Sequence, residues 1–255
     1  MTDSDHAEAV RRSFERQVAL FSGPDSPFAA RPSSTLAWIE PLTPDMIVLD
    51  VACGAAHAAE PVAVAVRQVV GVDLTAALLR VGAGRLHANG VHNVLLQEGD
   101  AEALPFLDDS FDVVFCRSSL HHFGAPRTAV AEMERVCRPS GRVVLVDLVV
   151  PEGVDRDLFD RVHRLLDPSH VRTFAEAELA DLTSGGASSL TYANTATIRL
   201  PVDVAITEQS DAGAVRAILD DELSGTGSRS GFAPEVVDDQ CIVSFTTTIL
   251  HAANC

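Results

Sequence analysis

Lysine is missing altogether: the 19 basic residues are all arginines, and against 36 aspartates and glutamates they leave a net charge of −17. A field of that sign repels phosphate backbones, and no local arginine cluster overrides it, so nucleic acid is not expected as a partner. Long apolar runs are missing too. No stretch of about 18 apolar residues is present to cross a bilayer, and the opening MTDSDHAEAV is polar and acidic where an export signal would be basic and then apolar. A soluble, cytoplasmic chain with no membrane span is the expectation. Cysteine is sparse and badly placed for pairing. Cys53, Cys116, Cys137, Cys241 and Cys255 are odd in number and never spaced CxxC, which argues against a zinc site or a disulfide framework and for reduced thiols. There is no HExxH, no GxSxG elbow and no GxxxxGK[ST] loop, so zinc protease, serine hydrolase and phosphate-loop kinase readings fall together.

What is present is alternation. The segments MIVLDV (46–51), QVVGVD (68–73), HNVLLQEGD (92–100), FDVVFCR (111–117) and GRVVLVDLVV (141–150) are apolar throughout and read as strands buried on both faces. Helical stretches at about 59–66, 75–90 and 125–137 separate them, which makes a doubly wound α/β fold with a parallel, Rossmann-like sheet. An amphipathic helix over 6–21 precedes this core, and STLAWIE opens a short second helix. Beyond 150 come helices near 155–166, 174–183 and 211–223, with strands TYANTATIRL (191–200) and CIVSFTTTIL (241–250). At this length one domain is expected: a helical lid to residue 42, a ligand-binding core over 43–150, and cap helices with closing strands over 151–255.

In an open parallel sheet, ligands bind beyond the carboxyl ends of the strands. The first strand runs into Asp50-Val51-Ala52-Cys53-Gly54-Ala55-Ala56-His57. The dinucleotide fingerprint GxGxxG needs glycine at 52, 54 and 57 and finds only Gly54, so a nicotinamide or flavin dinucleotide is disfavoured. A template with an acid followed by small residues at alternate positions fits better: Asp50, Ala52, Gly54, Ala56. The alanines make a left-handed backbone costly, so the turn is expected to keep negative φ at 52 and 56 or to shift. The second strand ends at Asp73, placed to accept from ribose hydroxyls, and the third ends at Asp100, placed to accept from an adenine amino group. Each aspartate also reads as an ordinary turn or cap residue.

With VLDVACG, VVGVDLT, EGDAEALPFLDDSFDVVFCRSSLHHF and ERVCRPSGRVVLVD in order, the sequence resembles the class I S-adenosylmethionine (SAM)-dependent methyltransferases, and among them the UbiE-type ubiquinone and menaquinone biosynthesis group. The likeness covers roughly residues 10–175. It implies a seven-stranded sheet of order 3-2-1-4-5-7-6 with CIVSFTTTIL as the antiparallel strand. It implies SAM as cofactor, with Asp50, Ala52 and Gly54 at its methionine part, Asp73 and Leu74 at the ribose, Asp100 and Ala101 at the adenine, and Arg117 and Ser118 near the aminoacyl end. The N-terminal helix, with Phe14, Gln17 and Phe21, would close over the site. Ala55 and Ala56 stand where the family usually carries threonine and glycine, and Pro61 fits only the first turn of a helix.

The resemblance implies methyl transfer to oxygen or carbon of a small, partly apolar metabolite, a quinol, phenol or enol, by a monomer or homodimer. The rival reading keeps the fold without the methylation, as a binding module or a cyclisation catalyst. Signatures of nucleic-acid methylation, Asn-Pro-Pro-Tyr and a Pro-Cys nucleophile, are missing. His121 and His122 follow the fourth strand, where an imidazole titrating near neutrality could take a proton from the acceptor; packing and loop capping are the alternative roles. His170 could face the substrate with Arg172, or mark a helix start capped by Asp167 or Ser169. His57 reads as packing or solvated beside the turn; His6, His87, His92, His163 and His251 read as surface or core. No histidine pair has metal-ligand spacing, so no metal is expected.

Overall fold

A computed structural model describes residues 3–18, 36–185 and 189–253. Its strands are β1 (Ile47–Val51), β2 (Gln68–Asp73), β3 (Val94–Glu98), β4 (Phe111–Arg117), β5 (Cys137–Leu148), β6 (Leu190–Pro201), β7 (Glu235–Val237) and β8 (Gln240–Ala253). They form one sheet in the order 3-2-1-4-5-8-6, with the short β7 paired to β8. The first five strands are mutually parallel. β8 runs antiparallel to both neighbours, β5 and β6. CIVSFTTTIL is therefore the antiparallel strand, and the one departure from the expected order is the three-residue β7, too short and exposed to leave a periodic signal.

Why the sheet is covered on both sides follows from its alternation. Val48, Val113, Phe115 and Val144 point to one face, where they pack on the helix α2 (Ala59–Ala63) and on Leu86 of α3 (Ala76–Ala88). Leu49, Val114, Cys116 and Leu145 point to the other, against Val130 and Met133 of α4 (Pro126–Val136). Successive residues of a strand face opposite ways, so strands apolar at every position are what a two-sided core requires. Gly82 lets α3 close on the first strand's turn: a Cβ there would sit 2.9 Å from the backbone carbon and oxygen of Ala55.

Beyond β5 a third apolar cluster joins Phe159, Val162 and Leu166 of α5 (Arg156–Leu166) to Phe232 and Val243. Into the same cluster go Val202 of α7 (Val202–Ala205) and Val215 and Leu219 of α8 (Ala212–Leu223). The short α6 (Glu176–Ala180) lies between. Asp155 and Asp211 start α5 and α8 by accepting backbone amides, as N-cap aspartates do. The N-terminal helix α1 spans Asp3–Arg16, and within STLAWIE the described residues 36–39 form a turn; Phe21 lies outside the described residues. Pro61 sits in the first turn of α2, where its missing N–H costs nothing. That helix stops at Ala63, short of the expected 66, and α6 is likewise shorter than the expected 174–183.

Candidate active site

The carboxyl ends of β1, β2 and β3 open into one cavity of about 1050 Å³. After β1 the chain takes left-handed backbone at every second residue: Ala52 (φ 57), Gly54 (φ 54) and Ala56 (φ 60). Of the two expected alternatives, negative φ at the two alanines is overturned: both take the left-handed backbone. Left-handed backbone costs an L-residue roughly 1–2 kcal/mol, and the turn is held by bonds on both sides. The Cys53 amide donates to the Val72 carbonyl at 3.0 Å, the Ala56 amide to the Cys53 carbonyl at 2.8 Å, and the Gly54 amide to Asp73 Oδ2 at 2.8 Å. Ala56 is wholly buried, with a methyl as the largest group its site in the apolar cluster carries.

Asp73 does more than end a strand. Its Oδ1 accepts the Thr75 amide at 2.8 Å while Oδ2 holds Gly54, so one carboxylate ties the turn after β1 to the turn after β2. Burial raises its pKa and those amide bonds oppose the shift. Asp50, 2% exposed, is less satisfied: its Oδ2 has no hydrogen-bond partner among the described residues. Burial pushes its carboxyl well above the usual range, Arg117 pulls it down and Asp73 pushes it further up. At the third strand end, Asp100 Oδ1 accepts the Glu102 amide at 2.9 Å. Ala52, Leu74, Ala101, Arg117 and Ser118 line the same cavity. Ser118, at φ 54, turns the end of β4 into a helical turn at Leu120–His122.

Across from the aspartates lies a group of four buried histidines, His121, His122, His163 and His170. His121 Nδ1 is 2.5 Å from Oδ1 of Asp147, a fully buried residue at the end of β5. The carboxylate fixes the proton on Nδ1 and leaves Nε2 for the cavity. Burial alone would lower the His121 pKa, but Asp147, with Asp167 and Asp160 behind it, outweighs burial and raises it. His122 is the opposite case. Ser169 Oγ donates its one proton to Asp167 at 2.6 Å, so His122 Nδ1, 3.0 Å from that oxygen, must be the donor to it. Burial, and then His121, press the His122 pKa down to about 3.

His163 lines the cavity and stacks on His170 with ring centroids 4.8 Å apart, so it is neither a surface residue nor plain core. His170 turns away to Asp160, at 2.8 Å, and Arg172 to Glu178, at 2.6 Å; neither faces the cavity. No helix starts at Ser169, whose amide bonds Asp167 at 2.9 Å in a turn. His57 is buried in the cavity wall. No cluster of three or more metal-ligating side chains exists among the described residues.

Helix α1 forms the roof through Val10, Phe14 and Gln17. It is fastened at three points. His6 Nε2 donates to the His122 carbonyl at 2.8 Å, Gln17 to Asp167 at 3.3 Å, and Gln209 to the Ser13 carbonyl at 3.0 Å. The Phe14 ring stands edge-on to His122 at 5.0 Å. The wall away from the aspartates is largely apolar, with Ile198, Leu200, Val204, Phe245 and Ile249.

The histidines give the fold an acid limb. His163 is held well below its ordinary pKa by burial first and then by the repulsion that neighbouring imidazoles, His170 foremost, would exert when protonated; His122 is lowered by burial and then by His121. A base whose folded pKa is depressed leaves stability intact above about pH 6.5 and removes it as pH falls. At pH 5 a shift the size of that at His122 corresponds to about 2 kcal/mol. His163→Phe is therefore expected to narrow the gap between the unfolding free energies at pH 7.5 and pH 5, as read by urea titration; an unchanged gap refutes the assignment.

Comparison with known proteins places this geometry. A methyltransferase-domain family profile matches residues 49–145. The uncharacterized methyltransferase YcgJ of Bacillus subtilis is 41% identical over 156 residues, 61% of each chain. Its crystal structure superposes with a TM-score of 0.67 at 30% identity, over 82% of this chain and 93% of that one. A Bacillus halodurans structure, 26% identical, gives a TM-score of 0.76 over 87% of this chain and 99% of its own. A demethylmenaquinone methyltransferase of Renibacterium salmoninarum is 39% identical over 108 residues, 42% of this chain and 44% of its own length. The sequence matches thus span less than two thirds of these curated relatives.

Proposed function

Since the chain belongs to the class I methyltransferases of UbiE type, we propose that it transfers a methyl group from SAM to oxygen or carbon of a small, partly apolar metabolite of quinol, phenol or enol character. The observation that carries this reading is the convergence of three strand-end carboxylates on one cavity, opposite a buried imidazole–carboxylate pair. The residues fit the cofactor. Asp50 Oδ2 is an acceptor in want of a donor, which the cofactor's ammonium would supply, and a buried carboxylate left unpaired is costly. Asp73 and Leu74 would meet the ribose, and Asp100 and Ala101 the adenine. When bound, SAM supplies a methyl group on a positively charged sulfur.

The chain's own part is alignment and proton removal. Orienting the reactants is worth on the order of 7 kcal/mol or more. His121 Nε2 takes the acceptor's proton while Nδ1 stays bonded to Asp147, which stabilises the imidazolium so formed. His122, kept neutral, offers an acceptor nitrogen beside it. Pairs of titratable groups driven apart in this way divide acid and base roles. Residues 43–150 hold the cofactor, while α1 and residues 151–255 choose the acceptor, whose apolar body would lie against Ile198, Leu200 and Phe245.

Ala55 and Ala56, in the places where the family usually carries threonine and glycine, would favour the rival without methyl transfer. With Ala56 at φ 60 the turn keeps a left-handed residue there without glycine, which weakens that objection. The test is mass spectrometry after incubation of the chain with methyl-labelled SAM and a panel of phenols, quinols and enols. Label appearing in one acceptor class is expected; cofactor binding without label in any acceptor would favour the rival.

A further inference from the structure

Trp38 is the chain's single tryptophan. It is 6% exposed and lines the cavity, and its indole N–H, which can only donate, has no acceptor among the described residues. Buried donors are nearly always paired, so an unmet one calls for an explanation. The residue is anchored within the protein. It stands edge-on to Phe115 at 5.1 Å, and the Trp38 carbonyl accepts from His251 Nε2 at 2.6 Å. The following backbone is pinned by Arg142, which donates to the Ile39 carbonyl at 2.6 Å and also to that of Pro41.

Its surroundings name the missing acceptor. Trp38 shares an apolar cluster with Ala56, Ala58 and Ala59, so it stands beside the turn after β1. Asp50 and Asp73, which line the cavity at that turn together with Cys53 and His57, are carboxylates and accept bonds. An aminoacyl arm brings a cation, which Asp50 can take, and an anion, which needs donors. Arg117, Ser118 and Trp38 line the cavity and can donate, and of these the Trp38 indole N–H is the buried donor with no acceptor among the described residues. We propose that the Trp38 indole N–H donates to the carboxylate of the cofactor's aminoacyl arm. This rests on the SAM reading above.

The test is calorimetric titration of the wild-type chain and Trp38→Phe with two ligands, S-adenosylhomocysteine and 5′-methylthioadenosine, which keeps the nucleoside and the sulfur but lacks the aminoacyl arm. The variant is expected to bind S-adenosylhomocysteine about tenfold more weakly or worse, as loss of a hydrogen bond to a charged group implies, and methylthioadenosine as well as the wild type does. Equal losses for both ligands would assign Trp38 to packing, and no loss for either would leave its N–H facing something else; both overturn the proposal. Wild-type chain that binds neither ligand would instead sink the cofactor reading. Should Trp38→Phe not fold, the wild type still decides. Its lone indole makes emission a local report, so saturating S-adenosylhomocysteine should shift the spectrum and methylthioadenosine should not, and an unshifted spectrum with the first overturns the proposal.

Discussion

Asp73→Ala is expected to bind S-adenosylhomocysteine at least a hundredfold more weakly than the wild type and to melt several degrees lower. Both effects come from one carboxylate. Its two oxygens accept the amides of Gly54 and Thr75, each at 2.8 Å, so truncation strands two buried N–H groups at about 1–3 kcal/mol each. For a domain of this size each kcal/mol moves the midpoint by about 2–4 °C. Loss of affinity would have two sources: the proposed acceptor for the ribose hydroxyls disappears, and the turn that carries Gly54 is cut loose from β2. Hydrogen bonds to a charged group contribute about 1.5–3 kcal/mol each, so two of them cover two decades or more. Titration calorimetry and a thermal melt on the same preparation read both. Unchanged affinity in a destabilised variant would reduce Asp73 to a structural tie.

Asp147→Asn should leave S-adenosylhomocysteine affinity intact and slow methyl transfer by roughly 10²–10⁴-fold, the range for losing general base catalysis. Asp147 is fully buried and touches His121, but it does not line the cavity, so it acts through the imidazole. With the carboxylate present, the His121 pKa lies above 6.5 despite burial, and the rate rises with pH as that imidazole loses its proton. With the charge gone burial prevails, and the limb moves below 6.5 while the rate falls. Stability follows with a definite sign. A histidine whose folded pKa is raised stabilises the fold fully below its unfolded pKa and ceases to as pH climbs through the folded value. Asp147→Asn should therefore cost more stability at pH 6 than at pH 9. Imidazole titration by NMR tests the shift, and a His121 pKa equal in the two proteins would refute the pairing.

Most of this architecture was legible because its signals are local. Strands apolar at every position, broken by amphipathic helices, can only be buried on both faces, and the acids at their ends fall at one edge by topology. All eleven residues named for cofactor and proton chemistry, from Asp50 to His122, line the one cavity. What escaped was set by distant contacts. Asp147 lies one residue before the end of β5 in VVLVD, much as Asp73 ends β2, a local signal of the same kind. His163 lies on the apolar stripe of α5 with Phe159 and Leu166, so its spacing reads as core; only the return of β8 makes that stripe a cavity wall. The left-handed alanines went unforeseen because their strain is offset by bonds to Val72 and Asp73, partners from another strand.

The fastening of α1 ties admission to readiness. The helix grips the carbonyl of His122 and the side chain of Asp167, the carboxylate that orients Ser169 against that same imidazole. Displacing the helix would break both grips, so the roof of the cavity and the proton-handling side chains share their bolts.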